Sequence, residues 1–291
     1  MSGPRADDKA AGIAYMVMAI ASLSFMDALG KRVAAGYSVF EMLAVRSTAA
    51  LAMLAALLGL TGRLATLRTR QLRAHAVRSG CALVAFVSFY TALRYLPLAD
   101  AVAVAFGSPF LVTALGRLVL HEPVRVRQWV AIAIGFLGML LIVRPGAAGV
   151  QPAALMVLLS GLAYASMMVL TRWMTRPERP HESSTAFVFY MLLGQAAAGW
   201  VVAAGRWQTP DAVALAEMVA MGVLGILGNY GLAQAFRNAP VAVVAPFEYT
   251  GLIWAVALGA LLFGQVPPPS FWAGAAVIVA AGLYTARSEA A

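Results

Sequence analysis

The chain has 291 residues, of which 62% are hydrophobic and only 11% charged, with a formal net charge of +9. A soluble domain carries roughly 25% charged residues, so this chain lacks the polar surface to face water all round. Length would permit two ordinary domains, but composition points instead to one membrane-embedded body, and no recognition motif turns the basic charge towards nucleic acid.

About 20 apolar residues cross a bilayer core as a helix. Such runs predict spans near Ala11–Leu29, Ser38–Gly59, Val77–Leu96, Ala99–Leu120 and Gln128–Val143. A second set follows near Pro152–Trp173, Ser184–Ala204, Val213–Ala235, Val241–Phe263 and Phe271–Ala286. The first run follows Arg5 and Lys9 as a signal peptide would. It matches a segment of the second half, so it is expected to be a retained helix. Pro97, Arg144-Pro145-Gly146 and Pro267-Pro268-Pro269 end helices, because proline removes a donor and clashes backwards.

The second half repeats the first. A fixed shift of 143 positions carries Arg94, Pro97 and Ala99 onto Arg237, Pro240 and Ala242, and Trp129 onto Trp272. Leu115, Gly116 and Leu118 fall on Leu258, Gly259 and Leu261 at the same shift. A weaker match at shift 140 joins Met16, Val17 and Arg32 to Met156, Val157 and Arg172. The fold expected is therefore an all-α membrane protein of two five-helix units, residues 1–147 and 148–291. Five spans per unit is an odd number, so the second unit enters the membrane from the other side. Such inverted repeats recur in secondary transporters.

Basic residues set the orientation. With the amino terminus inside, 15 of the 21 Lys and Arg residues fall on the cytoplasmic side, including Arg63, Arg68, Arg70, Arg73 and Arg78. Lys31, Arg32, Arg94, Arg144 and Arg206 fall opposite, and Arg46 lies within a span. The bias fits the positive-inside rule and places both termini in the cytoplasm. The Arg63–Arg78 cluster also suits anionic lipid headgroups.

The single cysteine, Cys81, excludes an intrachain disulfide. His75, His121 and His181 show no ligand spacing, so neither a metal nor a cofactor is expected. There are no paired histidines, no nucleophile–base arrangement and no Walker-type phosphate loop. An enzyme is therefore not expected, nor direct use of ATP.

Two five-helix units and the motifs around the fourth helix of each resemble an EamA-type member of the drug/metabolite transporter superfamily. The residues are Leu96-Pro97-Leu98-Ala99 running to Leu120-His121-Glu122-Pro123. In the second unit they are Ala239-Pro240-Val241-Ala242, Ala245-Pro246-Phe247-Glu248-Tyr249 and Phe263-Gly264-Gln265-Val266-Pro267. Met26-Asp27-Ala28-Leu29-Gly30-Lys31 and Val45-Arg46-Ser47 also resemble the family's first two helices. The family's Gly-Glu-x-Pro helix end is His121-Glu122 in one unit and Gly264-Gln265 in the other. The second departs from the pattern and weakens any carboxylate role there. The resemblance implies a central cavity lined by helices 1, 3, 4, 6, 8 and 9, and exporters of aromatic and other amino acids are the nearest relatives in character.

An ionisable residue at membrane depth is expensive and is a functional candidate by default. Glu248 lies about seven residues into its helix, roughly 10 Å deep at 1.5 Å per residue. Either it binds a substrate ammonium or exchanges a proton, or it is a hydrogen-bonded acid at the break near Pro246. Asp27 and Lys31 are spaced to meet on one helix face. With Glu41 and Arg46 they form either an outer gate of ion pairs or structural charges at the interface. Tyr90, Phe106, Tyr164, Phe247 and Trp254 lie deep and are substrate contacts or plain packing. Asn229 falls opposite Phe86 at the repeat shift and joins the candidate site. The glycines at 222, 225, 228 and 231 let helices approach. The expected function is alternating-access export of aromatic and other amino acids across a bacterial-type inner membrane, with a small-molecule substrate and the lipid bilayer as partners. The other reading is uptake or exchange of another metabolite or a cationic drug.

Overall fold

The computed structural model describes residues 8–123, 125–143 and 152–290. Arg5 and the helix end at Arg144-Pro145-Gly146 lie outside them. Every regular element among the described residues is helical.

Helix α1 (Lys9–Gly36) begins where Asp8 Oδ1 accepts from the Ala11 N–H at 2.9 Å. Helix α2 (Val39–Leu60) opens with a capping box between Ser38 and Glu41, which satisfies two orphan donors reciprocally. Helix α3 spans Leu72–Ala92. The fourth segment is broken into α4 (Leu98–Ala105) and α5 (Ser108–Leu120), with Pro109 in the first turn of α5. Helices α6 (Val126–Val143), α7 (Pro152–Met174), α8 (Ser184–Ala203) and α9 (Ala212–Asn238) follow. The ninth segment is again broken, into α10 (Val241–Val244), a 3₁₀ segment (Ala245–Tyr249) and α11 (Thr250–Phe263). Helix α12 (Pro269–Ala290) ends the chain.

Eight of these segments are helices long and apolar enough to cross a membrane, and Pro269–Tyr284 is a shorter apolar helix. The remaining expected span, α3, carries Arg73, His75 and Arg78 near its start, which lowers its hydropathy. Length and composition thus support eight of the ten expected spans outright.

Helix α1 packs along α9, α7 along α3, α2 against α8 and α6 against α12. Helix α11 lies on α1, and α5 on α7. Missing side chains permit close crossings: a Cβ on Gly274 of α12 would lie 2.7 Å from the Gly138 carbonyl of α6.

The broken fourth and ninth segments end alike. His121 (φ 57°) and Gly264 (φ 63°) both cap in the left-handed region. The next N–H then reaches back to a glycine carbonyl, Glu122 to Gly116 at 3.3 Å and Gln265 to Gly259 at 3.0 Å. A side chain at positive φ costs about 1 kcal/mol or more. His121→Gly should therefore raise the thermal unfolding midpoint of detergent-purified protein, and Gly264→Ala should lower it. Unchanged midpoints in both would show that these turns carry no strain.

Candidate functional site

Which stripe of a helix is exposed reveals which way the helix faces. On α7 the exposed apolar stripe is Leu155, Leu159 and Leu162. Tyr164 lies on the opposite face, with buried Val157, Ser160 and Gly161, yet it is 43% exposed. An exposed side chain on the packed face of a helix lines internal space. Tyr164 interacts electrostatically with Glu248 and with Arg78.

Glu248 sits half-buried in the 3₁₀ segment, and no hydrogen bond or ion pair holds its carboxylate among the described residues. Its charge also reaches Tyr249, whose ring lies 5.3 Å from that of Phe106. Glu248, Tyr164, Tyr249 and Phe106 thus form the candidate site. Asn229 shares an α9 face with Gly222 and Gly225 but remains exposed. Its Nδ2 donates to the Gly225 carbonyl at 2.7 Å, which leaves the amide oxygen for a ligand.

The four expected gate residues form no ion pair with one another among the described residues, although Asp27 and Arg46 stay near each other. Tyr90 donates its hydroxyl to Asp27 Oδ1 at 2.8 Å, and Asp27 faces Arg46 electrostatically. Arg46 donates to Gln195 Oε1 at 3.2 Å and lies 4.5 Å from the centre of the Phe86 ring. Its buried Nε has no hydrogen-bond partner among the described residues. Lys31 does not pair with Asp27. Its Nζ donates to the Leu93 and Leu96 carbonyls at 2.6 and 2.5 Å, at the negative end of α3. Glu41 is occupied structurally, accepting from the Ser38 N–H at 2.9 Å and the Gln208 N–H at 2.6 Å.

Three aromatic candidates lie elsewhere. Tyr90 is 2% exposed and packed in the core against Phe86 and Phe89. Phe247 packs on a small cluster of Met16, Ala235, Ala239 and Val244. Trp254 meets Phe25 at 6.0 Å, and Phe25 shares an exposed α1 stripe with Met18 and Arg32. That stripe is opposite Asp27, so the pair lies on the outside of the bundle. Hydropathy marks depth but not the facing direction, so it does not separate these three from Tyr164 and Phe106.

Two further polar residues are buried among the helices. Arg78, expected on the surface, is 7% exposed and donates to Thr171 Oγ1 at 2.7 Å and the Phe187 carbonyl at 2.9 Å. It ties α3 to α7 and α8. Gln195, which receives Arg46, was visible only as an amide inside an apolar run. The Gln265 amide oxygen accepts from the Leu98 N–H at 3.0 Å, whereas Glu122 pairs with Arg172 at 3.0 Å. The departure from the family pattern therefore exchanges an ion pair for a helix cap.

Bundled apolar helices, eight of them long and apolar enough to cross a membrane, describe a multi-pass membrane protein. The chain belongs to the EamA-like transporter family, whose pattern matches residues 10–144 and again residues 151–286. It is similar to a riboflavin transporter of Rhizobium johnstonii, 34% identical over 78% of this chain and 74% of that protein. An S-adenosylmethionine uptake transporter of Rickettsia conorii is 25% identical over 96% of this chain and 93% of its own. A pseudopaline exporter of Pseudomonas aeruginosa is 28% identical over 96% of each chain. A solved crystal structure shares the fold with a TM-score of 0.64 at 18% identity, covering 97% of this chain and 99% of its own. These relatives make the chain a transporter of small metabolites.

Proposed function

We propose that the chain is a ten-span secondary transporter that carries a planar heteroaromatic metabolite of the riboflavin kind by alternating access. Its halves, residues 1–147 and 148–291, act as inverted units, with both termini in the cytoplasm of a bacterial-type inner membrane. The observation that carries the substrate is the 34% identity to a riboflavin transporter over 78% of the chain. The matching helix ends at His121 and Gly264 support the two units, and the excess of basic residues on one side supports the orientation.

The site suits such a cargo. Tyr164 and the Phe106–Tyr249 pair offer ring faces, and stacked aromatic pairs contribute about 0.5–1.5 kcal/mol beyond their buried area. Asn229 and Glu248 offer hydrogen bonds to a heterocycle edge or hydroxyl groups. A second reading is export of aromatic and other amino acids, favoured by the unpartnered Glu248 carboxylate, which suits an ammonium group.

Titrating purified protein with riboflavin, followed by equilibrium dialysis, separates the readings. Saturable binding that Tyr164→Ala weakens about tenfold is expected, since a lost stacking contact of about 1.4 kcal/mol has that effect. Binding of phenylalanine or tryptophan with none of riboflavin would transfer the assignment to amino acids.

A further inference from the structure

Two connections meet beside the helix ends, residues 61–71 between α2 and α3 and residues 175–183 between α7 and α8. Between them opens a pocket of about 690 Å³ lined by Arg68, Thr69, Arg70, Pro180, His181 and Tyr190. It is distinct from the transport site, none of whose residues line it.

The pocket walls are fixed from behind. Glu182 Oε1 accepts from Thr69 Oγ1 at 2.7 Å and from the Arg70 N–H at 3.3 Å. Its Oε2 lies 3.1 Å from His75 Nε2, and both side chains are fully buried. Gln71 Nε2 donates to the Pro180 carbonyl at 2.8 Å, and Ser183 Oγ to the Thr66 carbonyl at 2.6 Å. Tyr190 donates to the Leu67 carbonyl at 3.2 Å. Glu182 is thus engaged behind the wall and makes no ion pair with Arg68 or Arg70.

In front, Arg68, Arg70 and His181 are exposed, and the two guanidinium groups have neither an ion pair nor a hydrogen bond among the described residues. Paired guanidinium groups match the oxygen geometry of phosphate, with charge-assisted hydrogen bonds roughly twice as strong as neutral ones. The surroundings indicate what presents that phosphate. Leu64 and Leu72 flank the arginines in sequence and are 54% and 62% exposed, and Leu60 is 88% exposed. Apolar surface beside cationic groups is of no use to a free anion but accommodates an acyl chain next to its headgroup.

We propose that this pocket binds a phosphate anion carried by a membrane lipid headgroup, joining the α2–α3 connection to the α7–α8 connection. Native mass spectrometry of the full chain in detergent, titrated with phosphatidylglycerol, phosphatidylcholine or inorganic phosphate, tests it. Phosphatidylglycerol should bind about thirtyfold more tightly than phosphatidylcholine, and R68Q/R70Q should remove that preference, since two basic groups near a membrane surface at about 1 kcal/mol each amount to that factor. Arg125→Gln, on another connection, should keep it. Inorganic phosphate that displaces phosphatidylglycerol at equal concentration would support the anion site and make free phosphate its source. Equal binding of both lipids would overturn the proposal. So would wild-type preference in R68Q/R70Q or, if that variant does not fold, in both R68Q and R70Q. Binding is read here without transport, so failure leaves the transport reading untouched.

Discussion

Replacing Arg46 with methionine should destabilise the protein by about 1–3 kcal/mol, because it takes the guanidinium donor from the buried Gln195 amide oxygen and the nearby cation from Asp27. Arg46 is 7% exposed and faces Asp27, which also accepts the Tyr90 hydroxyl. Without the guanidinium, the carboxylate has only that hydroxyl left in a setting that solvates charge poorly. Gln195 and Phe86 would also lose their contacts with the guanidinium. The double variant Asp27→Asn/Arg46→Met should recover part of the loss, since no carboxylate is then left without its nearby cation. Tyr90→Phe should cost only about 1 kcal/mol, the net worth of one hydrogen bond. Thermal unfolding of the four proteins in detergent measures all three effects. An R46M protein as stable as wild type would show that Asp27 does not depend on Arg46.

Glu248→Gln should act the other way round, sparing stability and removing transport. The carboxylate lies in the apolar segment Ala245–Phe263 with no hydrogen bond or ion pair among the described residues. An unpartnered acid there lowers stability, so a neutral amide should leave the unfolding midpoint unchanged or raise it. The transport rate should fall about tenfold or more, the size of effect that follows from losing one charge-assisted contact of about 1.5–3 kcal/mol. Any difference between rates at pH 6 and pH 8 should flatten as well. A lower midpoint with normal transport would instead make Glu248 a structural acid holding the break at Pro246.

How much of this was legible in the chain depended on the kind of signal. Family membership was readable because the motifs around the fourth helix of each unit are specific for the fold, and the repeat because matched Arg, Pro and Trp at one shift are rare in so apolar a sequence. The helix ends at His121 and Gly264 were readable too, since the motif specifies where each broken segment stops. Facing direction was not. Tyr164 and Trp254 look equivalent by depth, yet one lies opposite the exposed leucines of α7 and the other meets the exposed stripe of α1. The i, i+4 spacing of Asp27 and Lys31 permits a pair without choosing it, and two backbone carbonyls at the end of α3 outcompeted the carboxylate. Arg78 was counted among surface charges because its partners, Thr171 and Phe187, lie more than 90 residues away.

Counterflow in proteoliposomes tests the central claim most directly. Vesicles preloaded with unlabelled riboflavin and diluted into labelled riboflavin should accumulate label transiently above its outside concentration, because a site facing one side at a time exchanges cargo one molecule for another. The initial rate of that accumulation should fall about tenfold or more in vesicles carrying E248Q. Label that merely equilibrates at the same rate with and without preloaded riboflavin would contradict alternating access for this cargo.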